Sequence, residues 1–197
     1  MAPGTLTGMG HREDLLEGAK RCLLAKGFAR TTARDIVKES GTNLASIGYH
    51  YGSKDALLAR AYVALVDDAG DTFGGAEPEG APGSLERFRW VWSNIVASMR
   101  EPGSVFRLGM EVMTVELPEV REYLAREQQE GGRGLVALLM GVPEEEVGDE
   151  TADTLGRFYL TLMTGLIGQW AFDPKTAPDA DVLTEGLRQI IEAAAEG

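Results

Sequence analysis

The chain is short of the groups that build cross-links and metal sites. Its single cysteine, Cys22, excludes an intrachain disulfide framework and any metal site made from a cysteine cluster. There are two histidines, His11 and His50, and neither sits in a Ser/Asp pattern that would make a catalytic relay. There is no glycine-rich phosphate loop either. No catalytic residue, metal or cofactor is therefore expected, and an enzyme is the weakest of the functional readings. No stretch approaches the roughly 18 apolar residues of a membrane span. Met1 to Gly10 has no basic start and no apolar run, so it does not read as a signal peptide. A cytoplasmic protein with no membrane partner is the expectation.

Positive charge is also scarce, with 19 Lys and Arg against 31 Asp and Glu, a net of -12. That balance suits a DNA-binding protein poorly, but it is unevenly spread. Residues 1–60 hold nine Lys or Arg and six Asp or Glu, a local net of +3, so the net excess of acid lies beyond them. Such asymmetry marks a nucleic-acid module joined to an acidic body, or merely a solvated acidic surface. Hydrophobic residues make up 44%, enough for a packed core.

Clean two-residue alternation is missing, while Ala, Leu, Glu and Arg dominate, so the expected fold class is all-α with about nine helices. A first helix is expected from His11 or Arg12 to Gly27, with Leu16, Ala19 and Leu23 on one face and Leu15 and Cys22 flanking it, Cys22 as a small core residue. Gly27 is its C-cap, and Phe28 folds back on its end. A second helix starts at Thr31 or Thr32, with Asp35 near its positive pole, and stops at Ser40-Gly41. Asn43 or Thr42 caps a short third helix, Leu44 to Tyr51, with Leu44, Ile47 and Tyr51 as its buried stripe. Ala45, Ser46, Gly48, Tyr49 and His50 are left facing out. Ser53 caps a fourth helix running to about Asp71. Gly74 to Gly83 reads as a mobile linker. Further helices are expected at Ser84–Arg100, Gly103–Thr114, Pro118–Met140, Asp149–Phe172 and Asp179–Glu196, bounded by prolines.

Two short helices joined by a turn containing Gly41 match a helix-turn-helix. From spacing alone two readings stand: the second member enters the major groove of DNA, or the same packing serves a protein that never touches DNA. The residues Thr31-Thr32-Ala33-Arg34-Asp35-Ile36-Val37 and the run from Ser40 through Tyr49-His50-Tyr51-Gly52-Ser53-Lys54-Asp55-Ala56-Leu57-Leu58 go further. Over about Leu15–Leu65 the sequence resembles the TetR family of bacterial transcriptional regulators. Three positions depart from the family pattern. Gly48 stands where a tyrosine is common, Asp55 where a glutamate is usual, and Tyr51 where a phenylalanine is usual.

The resemblance implies an N-terminal DNA-binding domain, 1–58, and a C-terminal helical domain for effector binding and dimerisation, 59–197. It implies a homodimeric regulator, most often a repressor, that binds a near-palindromic double-stranded operator and is released by a small molecule. An activator, and a ligand-sensing dimer without operator binding, remain as alternatives. In the DNA-binding domain Thr32 is a candidate for a phosphate through its hydroxyl and amide, or else a plain N-cap. Ala45 and Ser46 are candidates for base edges, Ala at a thymine methyl. Tyr49 and His50 are placed for phosphate or base, and Lys54 for phosphate. Arg34, with Arg30, adds electrostatic attachment, and Asn43 stands at the start of the reading helix.

For the effector, Trp90, Met99, Phe106, Met110, Met113, Phe158, Met163 and Trp170 are the candidate pocket lining, and a largely apolar ligand would suit them. Such stripes also build ordinary cores. Arg107 and Glu111, one helical turn apart, are a polar handle or an i,i+4 pair. Leu155, Leu162, Leu166, Leu187 and Ile191 are the candidate dimer interface, with Gly156, Gly165 and Gly168 allowing close approach. Coupling of effector to DNA is expected to run through the fourth helix.

Overall fold

The computed structural model describes residues 5–74, 77–101, 104–114 and 118–197. Every regular element among them is helical, as the missing alternation required. In order these are α1 (Thr5–Lys26), α2 (Ala33–Ser40), α3 (Leu44–Tyr51), α4 (Lys54–Gly74), α5 (Leu85–Arg100), α6 (Val105–Thr114), α7 (Pro118–Met140), α8 (Asp149–Thr151), α9 (Arg157–Phe172) and α10 (Ala180–Ala195). A π turn, Ala152–Gly156, keeps helical dihedrals between α8 and α9, so those pieces run on as one rod and nine rods result. The helix α1 starts earlier than expected. No proline interrupts Thr5 to Gly10, and each glycine there costs only about 1 kcal/mol in a helix.

The chain divides into two compact units. The first is residues 1–71 together with 103–123, and the second is residues 72–102 together with 124–197. The segment that carries α6 thus belongs with the helix-turn-helix, although sequence on both sides of it belongs to the other unit.

In the first unit α1 buries Leu15, Ala19, Cys22 and Leu23. Leu15 rather than Leu16 leads this stripe, and Leu16 is half-buried. Against it lie Ile36 of α2, Ile47 of α3, and Leu57, Leu58, Ala61 and Tyr62 of α4. Phe28 does fold back, edge-on to Tyr62 with ring centroids 5.7 Å apart. The helices α1 and α2 cross very closely. A Cβ placed on Gly18 would stand 2.8 Å from Ser40 Cβ and 3.1 Å from Ser40 N. Arg21 fastens the same crossing from outside, with Nε 2.8 Å from Glu39 Oε1.

The start of α2 is set by a capping box. Thr32 Oγ1 accepts from the Asp35 N–H at 3.2 Å, and the Asp35 carboxylate accepts from the Thr32 N–H at 2.9 Å and from its hydroxyl at 2.7 Å. Lys26 Nζ also reaches Asp35 Oδ1, at 2.5 Å. Lys26 first, then Thr32, hold the Asp35 carboxyl well below the usual carboxylate range. The helix ends at Gly41, whose φ of 67° is the left-handed cap a side chain resists.

In the second unit α5 buries Phe88, Val91, Trp92, Ile95, Val96 and Met99, and α10 packs along it. Arg89 Nε meets Asp181 Oδ1 at 2.5 Å across that pair. The C-terminal end of the Gly74 to Gly83 stretch is held in place. The Gly83 N–H donates to Leu139 O at 2.9 Å, and Arg87 Nε donates to Leu138 O at 2.8 Å, so its end is pinned to α7. Gly156 serves close packing inside the protomer, where its backbone lies against that of Gly132. A cleft of about 180 Å³ opens among Leu85, Phe88, Leu139, Tyr159, Leu187 and Ile191.

Two outcomes follow. Gly18→Ala forces the α1–α2 crossing apart and should cost about 1–3 kcal/mol, read as a lower midpoint in thermal unfolding. The unfolded Asp35 carboxyl titrates near pH 4, whereas the folded one titrates lower. Its stabilisation is therefore present above about pH 4 and is lost as pH falls through the depressed folded value. Wild type should be more stable than Asp35→Asn at neutral pH, and the gap should close in acid.

Candidate nucleic-acid interface

The reading helix α3 begins at Asn43, whose Oδ1 accepts from the Ser46 N–H at 3.1 Å. The cap fixes the first turn and leaves Asn43 itself exposed. Only one side of this eight-residue helix is anchored, through Ile47, which is 4% exposed. Tyr51 is half-buried, its hydroxyl donating to Arg12 O at 2.8 Å and its ring lying under the Arg12 guanidinium. Burial pushes the Tyr51 hydroxyl up.

Leu44 does not join that buried stripe. It is 52% exposed. It occupies the first helical position after the cap. Leu44, Ala45, Gly48 and Tyr49 therefore form one outward strip, spaced one turn apart in two pairs. Tyr49 is 84% exposed, with its ring edge-on to His50 at a centroid separation of 4.8 Å. A Cβ on Gly48 would meet nothing within 4 Å, so the strip has a gap at its centre. Ser46 and His50 are half-buried flanks.

Around the strip stand the cations. Arg34 and Arg30 are exposed, and Arg30 Nε donates to Lys26 O at 3.0 Å. Lys54 opens α4 and lies 3.2 Å from Asp55 Oδ1. The Ser53 hydroxyl caps that helix through the Ala56 N–H at 3.0 Å. Thr32 is exposed, but its hydroxyl and amide are both engaged in the capping box, so a phosphate there would have to compete with Asp35. The pattern that hid Leu44 is the ordinary i, i+3 apolar repeat, which cannot tell a buried first residue from one hanging over the helix start.

The candidate effector residues are dispersed. Met99 is buried, and Trp90 and Met163 are half-buried. Trp170 lies beneath the Arg100 guanidinium at 5.6 Å. Phe158 is 44% exposed. Phe106 falls in the first unit, and the side chains of Met110 and Met113 lie outside the described residues. None of these residues lines the cleft beside α5, whereas Leu187 and Ile191 do. Of the candidate interface residues, Leu166 is buried within its own protomer and Leu155, Leu162 and Leu187 are half-buried. Ile191 is exposed, as is Ile190 on the same apolar repeat of the last helix, and so are Phe172 and Val182, which the periodicity did not single out.

Residues 15–61 match the family described as bacterial regulatory proteins, tetR family. The chain is 26% identical over 187 residues to the HTH-type transcriptional repressor AcnR of Corynebacterium glutamicum, covering 92% of this chain and 88% of that one. Among solved structures it resembles the multidrug binding protein EbrR in its complex with imidazole, with a TM-score of 0.69, 19% identity and 96% of each chain covered. It also resembles a transcriptional regulator from Rhodococcus sp. Rha1, with a TM-score of 0.67, 19% identity, and 92% of this chain and 96% of that one covered. Among the described residues no helix is long and apolar enough to cross a membrane. A capped helix with an outward strip, set in this all-helical fold, agrees with the match of residues 15–61 to the tetR family of bacterial regulatory proteins, which the chain resembles.

Proposed function

We propose that the chain is a cytoplasmic repressor that binds a near-palindromic double-stranded operator as a homodimer and is released by a small, largely apolar molecule. The observation that carries this reading is the outward strip of α3. It carries the side chains of Leu44, Ala45 and Tyr49 around the gap at Gly48, exposed on a helix held from behind by Ile47. Leu44 and Ala45 suit thymine methyl groups, Asn43 and Ser46 suit base edges, and Tyr49, His50, Arg34 and Lys54 suit phosphates. Thr32 acts first as the cap of α2. Residues 1–58 are the DNA-binding domain in this reading, and 59–197 serve the effector and the dimer. No catalytic role is proposed. The name of AcnR, a repressor, supports the sign of the regulation.

Dimerisation is supported by the apolar side chains that α9 and α10 leave in water. Phe172 is 87% exposed, Ile190 64%, Val182 59% and Ile191 51%. A patch of that kind marks an interface, and a two-fold pair would put two reading helices about one helical turn of DNA apart. An effector is supported by two buried indole N–H groups, of Trp92 and Trp170, that find no acceptor among the described residues. Buried donors are rarely left so. An apolar, flat molecule carrying an acceptor atom would satisfy such a group. EbrR, which is complexed with imidazole in one structure and proflavin in another, points to the same class.

Capture of genomic fragments by the purified protein tests the reading. A palindromic sequence should be enriched, and no enriched palindrome would sink it. On that fragment Lys54→Ala should weaken binding evenly across sequences and lower the salt slope by about one. Tyr49→Ala should abolish retention at moderate salt, whereas a sensing dimer without operator binding would be indifferent to it. Gly48→Tyr fills open space and should tighten binding to all duplexes, as measured by fluorescence anisotropy.

A further inference from the structure

The C-terminal end of α1 leaves one backbone group to be accounted for. Gly27, at φ 77°, closes the helix by donating its N–H to Leu23 O at 2.8 Å. This is the single-bond left-handed ending, and it gives the next N–H no partner within the helix. That next residue is Phe28, 3% exposed, so water cannot serve it. The partner comes from 83 residues away: Glu111 Oε2, on α6, accepts from the Phe28 N–H at 2.7 Å. The approach is tight enough to depend on glycine. A Cβ on Gly27 would stand 2.6 Å from Glu111 Oε2 and 2.8 Å from its Cδ. A carboxylate is disfavoured beside the negative end of a helix, so a specific bond must hold it there.

The same few residues set the entry to α2. The Thr31 hydroxyl donates to Gly27 O at 2.7 Å, and the following residue, Thr32, is the cap of α2. The segment 103–123 that brings Glu111 here is joined at both ends to the unit proposed to take the effector.

We propose that Glu111 is a positioning residue for DNA binding. Its carboxylate latches the α1–α2 corner and fixes the orientation of the helix-turn-helix. It rests on the reading of the chain as a DNA binder.

The test uses the full chain and a duplex selected by wild type from a random pool, with two further duplexes whose half-sites are moved one base pair inward or outward. Glu111→Gln keeps an oxygen at the same reach and should behave as wild type. Glu111→Ala and Glu111→Asp, the second charged but one methylene short, should bind the selected duplex about tenfold or more weakly. Both should also lose the preference for its spacing, a change that general destabilisation does not cause. Hydrogen exchange at the Phe28 amide should speed up in the Ala and Asp variants alone. The proposal is overturned if Ala and Asp keep wild-type spacing preference, if all duplexes weaken by one common factor, or if Phe28 exchange is the same in every variant. Should wild type select no duplex at all, the DNA-binding reading fails and the proposal goes with it. A latch that fails while wild type still selects leaves that reading standing.

Discussion

The first unit depends on how α1 hands over to α2. Thr31 is the buried polar side chain at that corner, 2% exposed, and its hydroxyl closes on Gly27 O, with Cys22 O 3.3 Å away. A buried hydroxyl without these carbonyls would cost about 1–3 kcal/mol, so the corner has essentially one geometry. Everything that follows in the chain inherits its direction. Thr32 and Asp35 start α2 from it, Gly18 lets α2 lie against α1, and Gly41 and Asn43 then aim α3 outward.

The charge distribution fits a protein that reads DNA by contact more than by bulk attraction. Arg21, Lys20 and Lys26 are spent on ion pairs with Glu39, Asp68 and Asp35 that hold the helices together. The net charge of residues 1–60 is only +3, and the outward strip of α3 is uncharged. Sequence-independent affinity scales with the number of phosphates neutralised. On the proposed reading, a small net positive charge favours weak non-specific binding, with discrimination left to Leu44, Ala45, Ser46 and Tyr49. The glycine at position 48 sharpens this further, since the centre of the strip offers only backbone.

Much of this was legible in the sequence because local chemistry decides it. Caps at Thr32, Asn43, Ser53, Ser84 and Asp179 fix helix starts, and prolines and positive-φ glycines fix the ends, so the order of helices follows from single residues. The reading strip was legible except at Leu44, where an apolar repeat continued past the point at which the helix has anything to pack on. What was hidden depends on distant partners. Nothing near Gly83 in sequence announces Leu139, nothing near Gly156 announces Gly132, and Glu111 next to Arg107 looks like half of a surface pair. Its bond to Phe28 spans 83 residues and becomes visible only when α6 is found in the first unit.

The central claim is that two copies of α3 read one duplex as a symmetric pair. A hydroxyl-radical footprint on the enriched genomic fragment measures this directly. Two protected stretches related by the palindrome, on one face of the duplex and about one helical turn apart, are the predicted result. A single stretch without a symmetric mate, or no protection at concentrations where the protein is folded, would contradict it.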